Sequence, residues 1–141
     1  MDLEFAFLAN LVEAPNGLFN ALGAGWEVGN RPQFPAAFAG VLAAKVKMSR
    51  QEFSHPHTFE LDIVDQDGRS IVPRVRIPFQ PPPDAPPIPP GQRADANLVF
   101  DLHNIAVPHP GTYSLEFLVD GRSMKSFPVT FNLIPVTPVA G

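Results

Sequence analysis

Two histidines separated by a single residue are the side chains of this sequence best suited to chemistry. On an extended strand, His55 and His57 would lie on the same face, because side chains alternate with a period of two. Two imidazoles so placed can share a metal ion when a third ligand joins them. The candidates for a third ligand are Glu52, Asp65, His103 and His109. None stands at a diagnostic spacing, so a polar loop that leads into a strand is the favoured interpretation.

The segment Asp65–Gly68 resembles the first residues of a calcium-binding loop in composition. A complete loop needs a third oxygen-bearing residue before the glycine and a glutamate at its end, whereas Arg69 follows the glycine here. Aspartate and glycine are also what a hairpin turn favours. Asp65 and Asp67 therefore join the two histidines as minor metal candidates, and we expect neither a bound metal nor a cofactor.

Covalent catalysis has little support in the sequence. The chain has no cysteine, and no serine lies in a G-x-S-x-G elbow. The glycines before Trp26 lack the spacing and the strand-to-helix context of a nucleotide-binding fingerprint. We therefore expect a protein that is not an enzyme. The alternatives are a small metal-dependent enzyme that uses His55, His57 and a nearby acid, and a sandwich that binds a ligand or carbohydrate through Trp26.

Composition favours a contact surface. Charged residues make up only 17% of the chain, and the sequence has twelve phenylalanines, so some apolar surface remains to be covered by a partner or a second copy. Trp26, the only tryptophan, suits core packing first and an interface anchor second. The predicted contact residues are Trp26, Phe34, Phe38, Pro82, Pro86 and Pro89.

A proline-rich loop at residues 80–92 can join no central strand, because proline lacks the N–H that a strand ladder needs. It can serve as a stiff crossover between two sheets, which we favour. It can also act as a ligand for a groove that recognises polyproline helices.

The elements that position these residues are short strands. His57 to Val64 alternates cleanly, with Phe59, Leu61 and Ile63 on one face. Similar runs at residues 3–12, 74–79, 97–102, 113–119 and 123–134 are separated by Gly, Pro, Asn and Asp, and a helix is the alternative at 3–12. Residues 38–48 could form a strand or a helix, and we predict a strand for the second half, where Lys45–Met48 alternates. Asn16-Gly17 predicts a hairpin whose second arm is 18–28. The composition predicts an all-β chain, an antiparallel β-sandwich of about seven or eight strands, of immunoglobulin-like or C2-like type.

The hairpin after His57–Val64 has a register that the buried face should fix. Leu61 must lie opposite Val75, which sets Glu60 opposite Arg76 and Asp62 opposite Arg74. We therefore predict a loop of three or five residues, or a bulge, with two outward ion pairs of small energetic value.

Charge and length exclude several classes of protein. A net charge of −4 with scattered basic residues argues against nucleic-acid binding. The acidic start, the absence of cysteine and the lack of a long apolar run predict a cytoplasmic protein that does not cross a membrane. We expect one domain at residues 1–134 and a tail at 135–141, with a protein partner or a homo-oligomer.

Two resemblances add to these expectations. The run Pro110–Phe117, with its only tyrosine at Tyr113, resembles the late strand of immunoglobulin-like and fibronectin-like sandwiches. The resemblance implies that this tyrosine hydrogen-bonds back across a corner. Glu4–Asn10, Asn16-Gly17 and Leu22–Trp26 are together similar to the opening of a family of small, uncharacterised bacterial proteins. That similarity implies a single-domain layout and carries over no site.

Overall fold

The computed structural model describes residues 1–84 and 86–135, and this part is all-β, with 55% strand and 5% helix. The predicted tail therefore lies outside the described residues, apart from Pro135. The strands are β1 (Asp2–Ala9), β2 (Leu11–Glu13), β3 (Asn20–Leu22), β4 (Val28–Arg31), β5 (Ala36–Ala37), β6 (Val41–Met48), β7 (His57–Val64), β8 (Val75–Phe79), β9 (Ala94–Asp101), β10 (Ala106–Val107), β11 (Gly111–Val119) and β12 (Arg122–Leu133). A 3-10 turn at Pro15–Gly17 and the helix α1 at Arg50–Phe53 complete the elements.

Eight of these strands form the two larger sheets. One sheet has the order β1-β6-β9, and the other has the order β4-β12-β11-β7-β8. The ribbons β2-β3 and β5-β10 are separate and short. All pairs are antiparallel except β4 with β12, which run parallel. The predicted strand content is confirmed at this level.

Both larger sheets contribute to a single apolar core. Phe100 on β9 and Phe117 on β11 meet edge to face across it, with ring centroids 6.1 Å apart. The predicted inward positions of β7, which are Phe59, Leu61 and Ile63, are all buried. Burying an aliphatic or aromatic side chain stabilises the fold by about 1.5–3 kcal/mol, so this shared interior is what holds the sheets together.

The register of the β7–β8 hairpin is as the buried face requires. Leu61 lies opposite Val75 and Glu60 lies opposite Arg76. A five-residue turn closes the hairpin between Val64 and its bridge partner Ser70, and an irregular stretch then leads into β8. The loop prediction is confirmed.

The two carboxylates of β7 are not on an exposed face, contrary to the expectation of outward ion pairs. The side chains of Glu60 and Asp62 are only 9% and 11% exposed. Arg74 lies 3.6 Å from Asp62, and Arg76 donates to Glu60 at 3.2 Å. Arginine can shield a carboxylate because its long aliphatic stem packs over the sheet while its guanidinium stays charged.

The first hairpin differs from the prediction. The strand expected at residues 3–12 divides at Asn10 into β1 and β2, and only β3 returns to pair with β2. The rest of the expected second arm crosses to the other sheet, where Val28 begins a parallel pairing with β12. The short strand β4 also occupies part of the loop expected at residues 30–35.

The proline-rich loop has the position of a crossover. It leaves β8, at the edge of the five-stranded sheet, and leads to β9, at the edge of the three-stranded sheet. Pro82, Pro86 and Pro89 are exposed. The described part of this loop contains no strand, as the missing N–H groups require.

The closing hairpin joins β11 and β12 through Asp120 and Gly121, as predicted. Both residues have positive φ, at 50° and 82°, which is the backbone of a type I′ turn. Earlier in the chain, Tyr113 on β11 donates its hydroxyl hydrogen to the carbonyl oxygen of His109 at 2.6 Å. The backward hydrogen bond expected of this tyrosine is therefore present.

We predict that Tyr113→Phe lowers the free energy of unfolding by about 1 kcal/mol, because the substitution removes one buried hydrogen bond and leaves the ring in place. Urea denaturation measures the effect. Thr112→Val, which removes an exposed hydrogen bond to Thr130 on the neighbouring strand, is the matched control and should change stability less. Equal stability of Tyr113→Phe and the wild type would show that the hydrogen bond from Tyr113 to His109 is not stabilising.

Candidate functional site

An open cleft of about 720 Å³ lies where the chain crosses from one sheet to the other. We call it the Trp26 cleft. Its lining includes Asn10, the glycine-rich stretch 23–25, Trp26, Val28, Arg31 and Ala39. Clefts of this volume are the usual size for a small-molecule site. The crossing segment therefore contributes to a concave feature of ligand size beside the only tryptophan.

Close packing against a glycine positions the indole of Trp26. A Cβ atom on Gly40 would lie 2.6 Å from Cζ2 of Trp26, a distance that real contacts do not reach. The indole also packs on two core rings, with centroid distances of 5.9 Å to Phe38 and 6.3 Å to Phe131. Trp26 is half-buried, so it belongs to the edge of the core and to the cleft wall at once.

The guanidinium of Arg31 is held rigidly beside the indole. Its Nε donates to the carbonyl oxygen of Ala37 at 3.1 Å, and its Nη2 donates to that of Phe38 at 2.6 Å. Nη1 donates to the carbonyl oxygen of Asn30 at 3.1 Å, and the group lies 5.2 Å from the centre of the Phe131 ring. Neutral carbonyls and a ring face orient this cation without neutralising it.

Two further features of the Trp26 cleft call for a physical reason. Ala39 has φ of 54°, a left-handed conformation that costs an alanine about 1–2 kcal/mol. The indole Nε1 of Trp26 is buried and has no hydrogen-bond partner among the described residues. Strained backbone and unsatisfied buried donors concentrate at ligand sites.

A second feature is an apolar surface on the excursion between β1 and β4. Leu18 and Leu22 are 70% and 65% exposed, and Leu11 on the facing strand is 48% exposed. Leu11 and Leu22 are cross-strand partners. We call these three residues the leucine surface.

A small aromatic cluster attaches this excursion to the three-stranded sheet. Phe19 meets Phe5 and Phe7 edge-on, with centroids 5.7 and 6.3 Å away. The Nδ2 group of Asn97 on β9 donates to the carbonyl oxygen of Gly17 at 2.7 Å. The excursion is therefore tied down beside the sheet, and the leucines remain exposed on a fixed support.

The predicted histidine pair does not form a common site. Both ring nitrogens of His57 face acceptors, Nδ1 the Asp120 carboxylate at 2.7 Å and Nε2 the carbonyl oxygen of Glu52 at 2.6 Å. His55 instead bonds to the carbonyl oxygen of Gln51 in its own turn. Within residues 1–84 and 86–135, no three His, Cys, Asp or Glu side chains are grouped to hold a metal ion.

His57 therefore acts as a clamp between three elements. It joins α1 to the start of β7 and to the β11–β12 turn, where Asp120 also accepts from the amide of Thr58 at 2.9 Å. Burial works to lower the pKa of His57, but its hydrogen bonds to Asp120 and Glu52 outweigh burial and raise that pKa above 6.5. An imidazole whose two nitrogens both donate is an imidazolium, so neither nitrogen is free for a metal or a substrate proton.

Asp65 and Asp67 lie in the turn after β7, and the hydrogen bonds of this turn explain why residue 65 is an aspartate. One carboxylate oxygen of Asp65 accepts from the amides of Asp67 and Arg69, each at 2.9 Å. This is an Asx turn, which explains the aspartate by local backbone geometry.

The predicted contact residues differ in how far they are buried. Phe38 is fully buried in the core, so it is not available as a surface contact in this structure. Phe34 and Trp26 are half-buried, and the three prolines are exposed. Sequence reasoning missed Arg31, Leu18 and Leu22. The exposed leucines lie in the predicted first hairpin, whose apolar character favours a contact surface, but the sequence pattern singles out no leucine in it.

Comparison with known proteins gives one match. A family model described as a family of unknown function (DUF6941) matches residues 4–132. No curated protein and no solved structure matches the chain. Among the described residues, no helix has both the length and the apolar character needed to cross a bilayer.

We predict that the stability supplied by His57 depends on pH. Because its folded pKa is raised, this contribution is complete below 6.5, the ordinary value, and is lost as pH rises through the folded pKa. His57→Gln should lower the free energy of unfolding by about 1 kcal/mol at pH 5.5 and by less at pH 8.5. The loss is small even at pH 5.5 because Asp120 is half exposed and solvent weakens the ion pair. Urea denaturation at both values measures this. His55→Gln is the control, and an equal loss at both pH values would contradict the clamp.

We also predict that Gly40→Ala displaces Trp26. The added methyl group overlaps the indole, so the cost should be about 1–3 kcal/mol, as for other overpacked cores. Since Trp26 is the only tryptophan, its fluorescence maximum should shift to the red. Gly68→Ala, at a turn with open space around it, is the control for backbone effects and should leave the spectrum unchanged.

Proposed function

The chain belongs to the DUF6941 family, whose function is unknown, and from the geometry we propose that it is a non-enzymatic assembly module. In this proposal, two copies of the chain associate through the leucine surface. The scaffold is an immunoglobulin-like sandwich, and the bacterial origin expected from the resemblance stays a prediction.

The strand order supports the immunoglobulin-like part of the proposal. Two sheets of three and five strands share a core. At one edge of the larger sheet, the short strand β4 runs parallel to β12. The backward hydrogen bond of Tyr113 stands where such sandwiches have a tyrosine corner. Together these features favour the immunoglobulin-like arrangement over the C2-like one.

The exposure of Leu18 and Leu22 carries the functional proposal. Single exposed leucines are ordinary, but here two leucines exposed by more than three fifths share one anchored excursion with Leu11. Covering a leucine side chain contributes about 1.5–3 kcal/mol, so a few such residues can drive a weak dimer. An apolar patch is complementary to its own copy across a two-fold axis, which favours a second chain as the partner.

The edges of the five-stranded sheet support contact through the leucine surface and not through strand addition. On β12, the amide of Thr130 donates to the carbonyl oxygen of Glu27, on the side of the strand that faces β4. Backbone N–H groups alternate in direction along a strand, so the nitrogen of Pro128 faces the same side. At Pro128, β4 no longer pairs with β12. On the edge strand β8, Pro78 also lacks an N–H. Proline at an edge blocks pairing with another strand. The leucine surface carries no comparable block.

We predict that the wild type dimerises in a concentration-dependent way and that Leu18→Ser with Leu22→Ser abolishes dimerisation. Sedimentation velocity between about 5 and 500 μM covers the affinities that a few leucines can supply. Leu133→Ser is the matched control, because Leu133 is 51% exposed and lies on β12, away from the excursion. A wild type that stays monomeric throughout this range would overturn the self-association proposal.

A further inference from the structure

We infer that the Trp26 cleft binds a small organic carboxylate, with its carboxylate on Arg31 and its apolar body against Trp26 and Val28. This inference is separate from the assembly proposal, because the cleft and the leucine surface are built from different side chains. It assigns a ligand class to the cleft from the charge and hydrogen-bonding groups that line it.

The charge of Arg31 is the first observation. Among the described residues, no carboxylate lies within ion-pair distance of its guanidinium, whereas Arg74, Arg76 and Arg93 each have an acidic partner. Other arginines without an ion pair in the described part of the chain, Arg50, Arg69 and Arg122, are exposed, but Arg31 is half-buried. None of the residues that line the cleft is acidic. A half-buried cation without a counterion attracts an anion to the adjoining space, since solvent screens it incompletely.

The donors that remain free are the second observation. A guanidinium has five N–H groups, and the carbonyls of Asn30, Ala37 and Phe38 use three, one on each nitrogen. One N–H is left on each terminal nitrogen, which matches the two oxygens of a carboxylate. The buried indole Nε1 of Trp26 has no partner among the described residues, and it belongs to a residue that lines the same cleft.

The surroundings favour a carboxylate over a phosphate. The only cationic side chain in the lining is Arg31, whereas phosphate sites usually combine several cations or a helix N-terminus. The rest of the wall offers the indole and the exposed side chain of Val28, which suit an aromatic or aliphatic body. Ala39, whose backbone is strained, lies in the same wall and directly follows Phe38, which accepts a hydrogen bond from Arg31.

The test follows the indole N–H of Trp26 by NMR while benzoate is added to the wild-type chain. Because there is one tryptophan, one resonance reports on the cleft. We expect a saturable shift with half-saturation on the order of 1 mM, which is ordinary for a ligand of this size. Benzyl alcohol, which has the same ring without the charge, and inorganic phosphate should each bind at least about 10-fold more weakly.

Two variants separate the site from the scaffold. Arg31→Lys keeps the charge but loses the planar fork, and it should weaken benzoate binding about 10-fold. Val28→Glu places a carboxylate at the rim, where Val28 is 53% exposed, and should abolish binding while the chain stays folded. Arg122→Lys, on the closing hairpin, is the control and should bind like the wild type.

A flat titration to about 20 mM, or equal binding of benzoate and benzyl alcohol, would overturn the inference. Tighter binding of phosphate than of benzoate would also overturn it. The same titration on the Leu18→Ser, Leu22→Ser double variant distinguishes the two proposals. Saturable benzoate binding there supports the carboxylate site even if the wild type proves monomeric.

Discussion

The ring of Phe131 is the contact on which the arrangement depends. It is buried on β12, and it meets Phe38 at 5.1 Å, Tyr113 at 6.0 Å and Trp26 at 6.3 Å. Gly29 makes room for it, because a Cβ atom there would lie 2.7 Å from the ring. The same ring supports the Arg31 guanidinium. One side chain thus connects the core, Tyr113 and the Trp26 cleft, so core packing fixes the geometry of the cleft wall.

The protection of strand edges and the exposure of the leucine surface follow from the same constraint. A chain with few charges and many aromatic residues must keep its unpaired strand edges from pairing with neighbours. In the five-stranded sheet, prolines on β8 and β12 interrupt the open edges without charge, since they remove backbone donors. The apolar surface that remains uncovered then lies on side chains of an excursion, where contact is set by shape and area and not by backbone pairing.

Local patterns in the sequence predicted the regular part of the fold well. The alternation in His57–Val64 and the parity argument for Leu61 and Val75 succeeded because one face of that hairpin is buried, which leaves one register. The Asp120-Gly121 turn succeeded because few residues tolerate its backbone. The prediction for the segment between β1 and β4 is right only for the short β2–β3 hairpin. The rest of the segment crosses between sheets, and a crossing depends on long-range packing that the local sequence pattern does not show. Arg31 carried no signal for the same reason, since its partners are backbone carbonyls.

The leucine surface lies on this crossing segment and the Trp26 cleft lies partly on it and partly on β4, and the topology explains why. The chain leaves the three-stranded sheet at Ala9 and joins the five-stranded sheet at Val28. Between these points only the short β2–β3 ribbon pairs, so side chains are free to serve contact instead of core. The segment is nevertheless anchored, because His103 bonds to the carbonyl oxygen of Asn10 at 2.8 Å and to Asp101 at 2.7 Å. These hydrogen bonds and the aromatic cluster around Phe19 hold the segment in place. The exposed leucines thereby gain a fixed geometry without belonging to either larger sheet, and the Trp26 cleft gains one wall from this segment and another from β4.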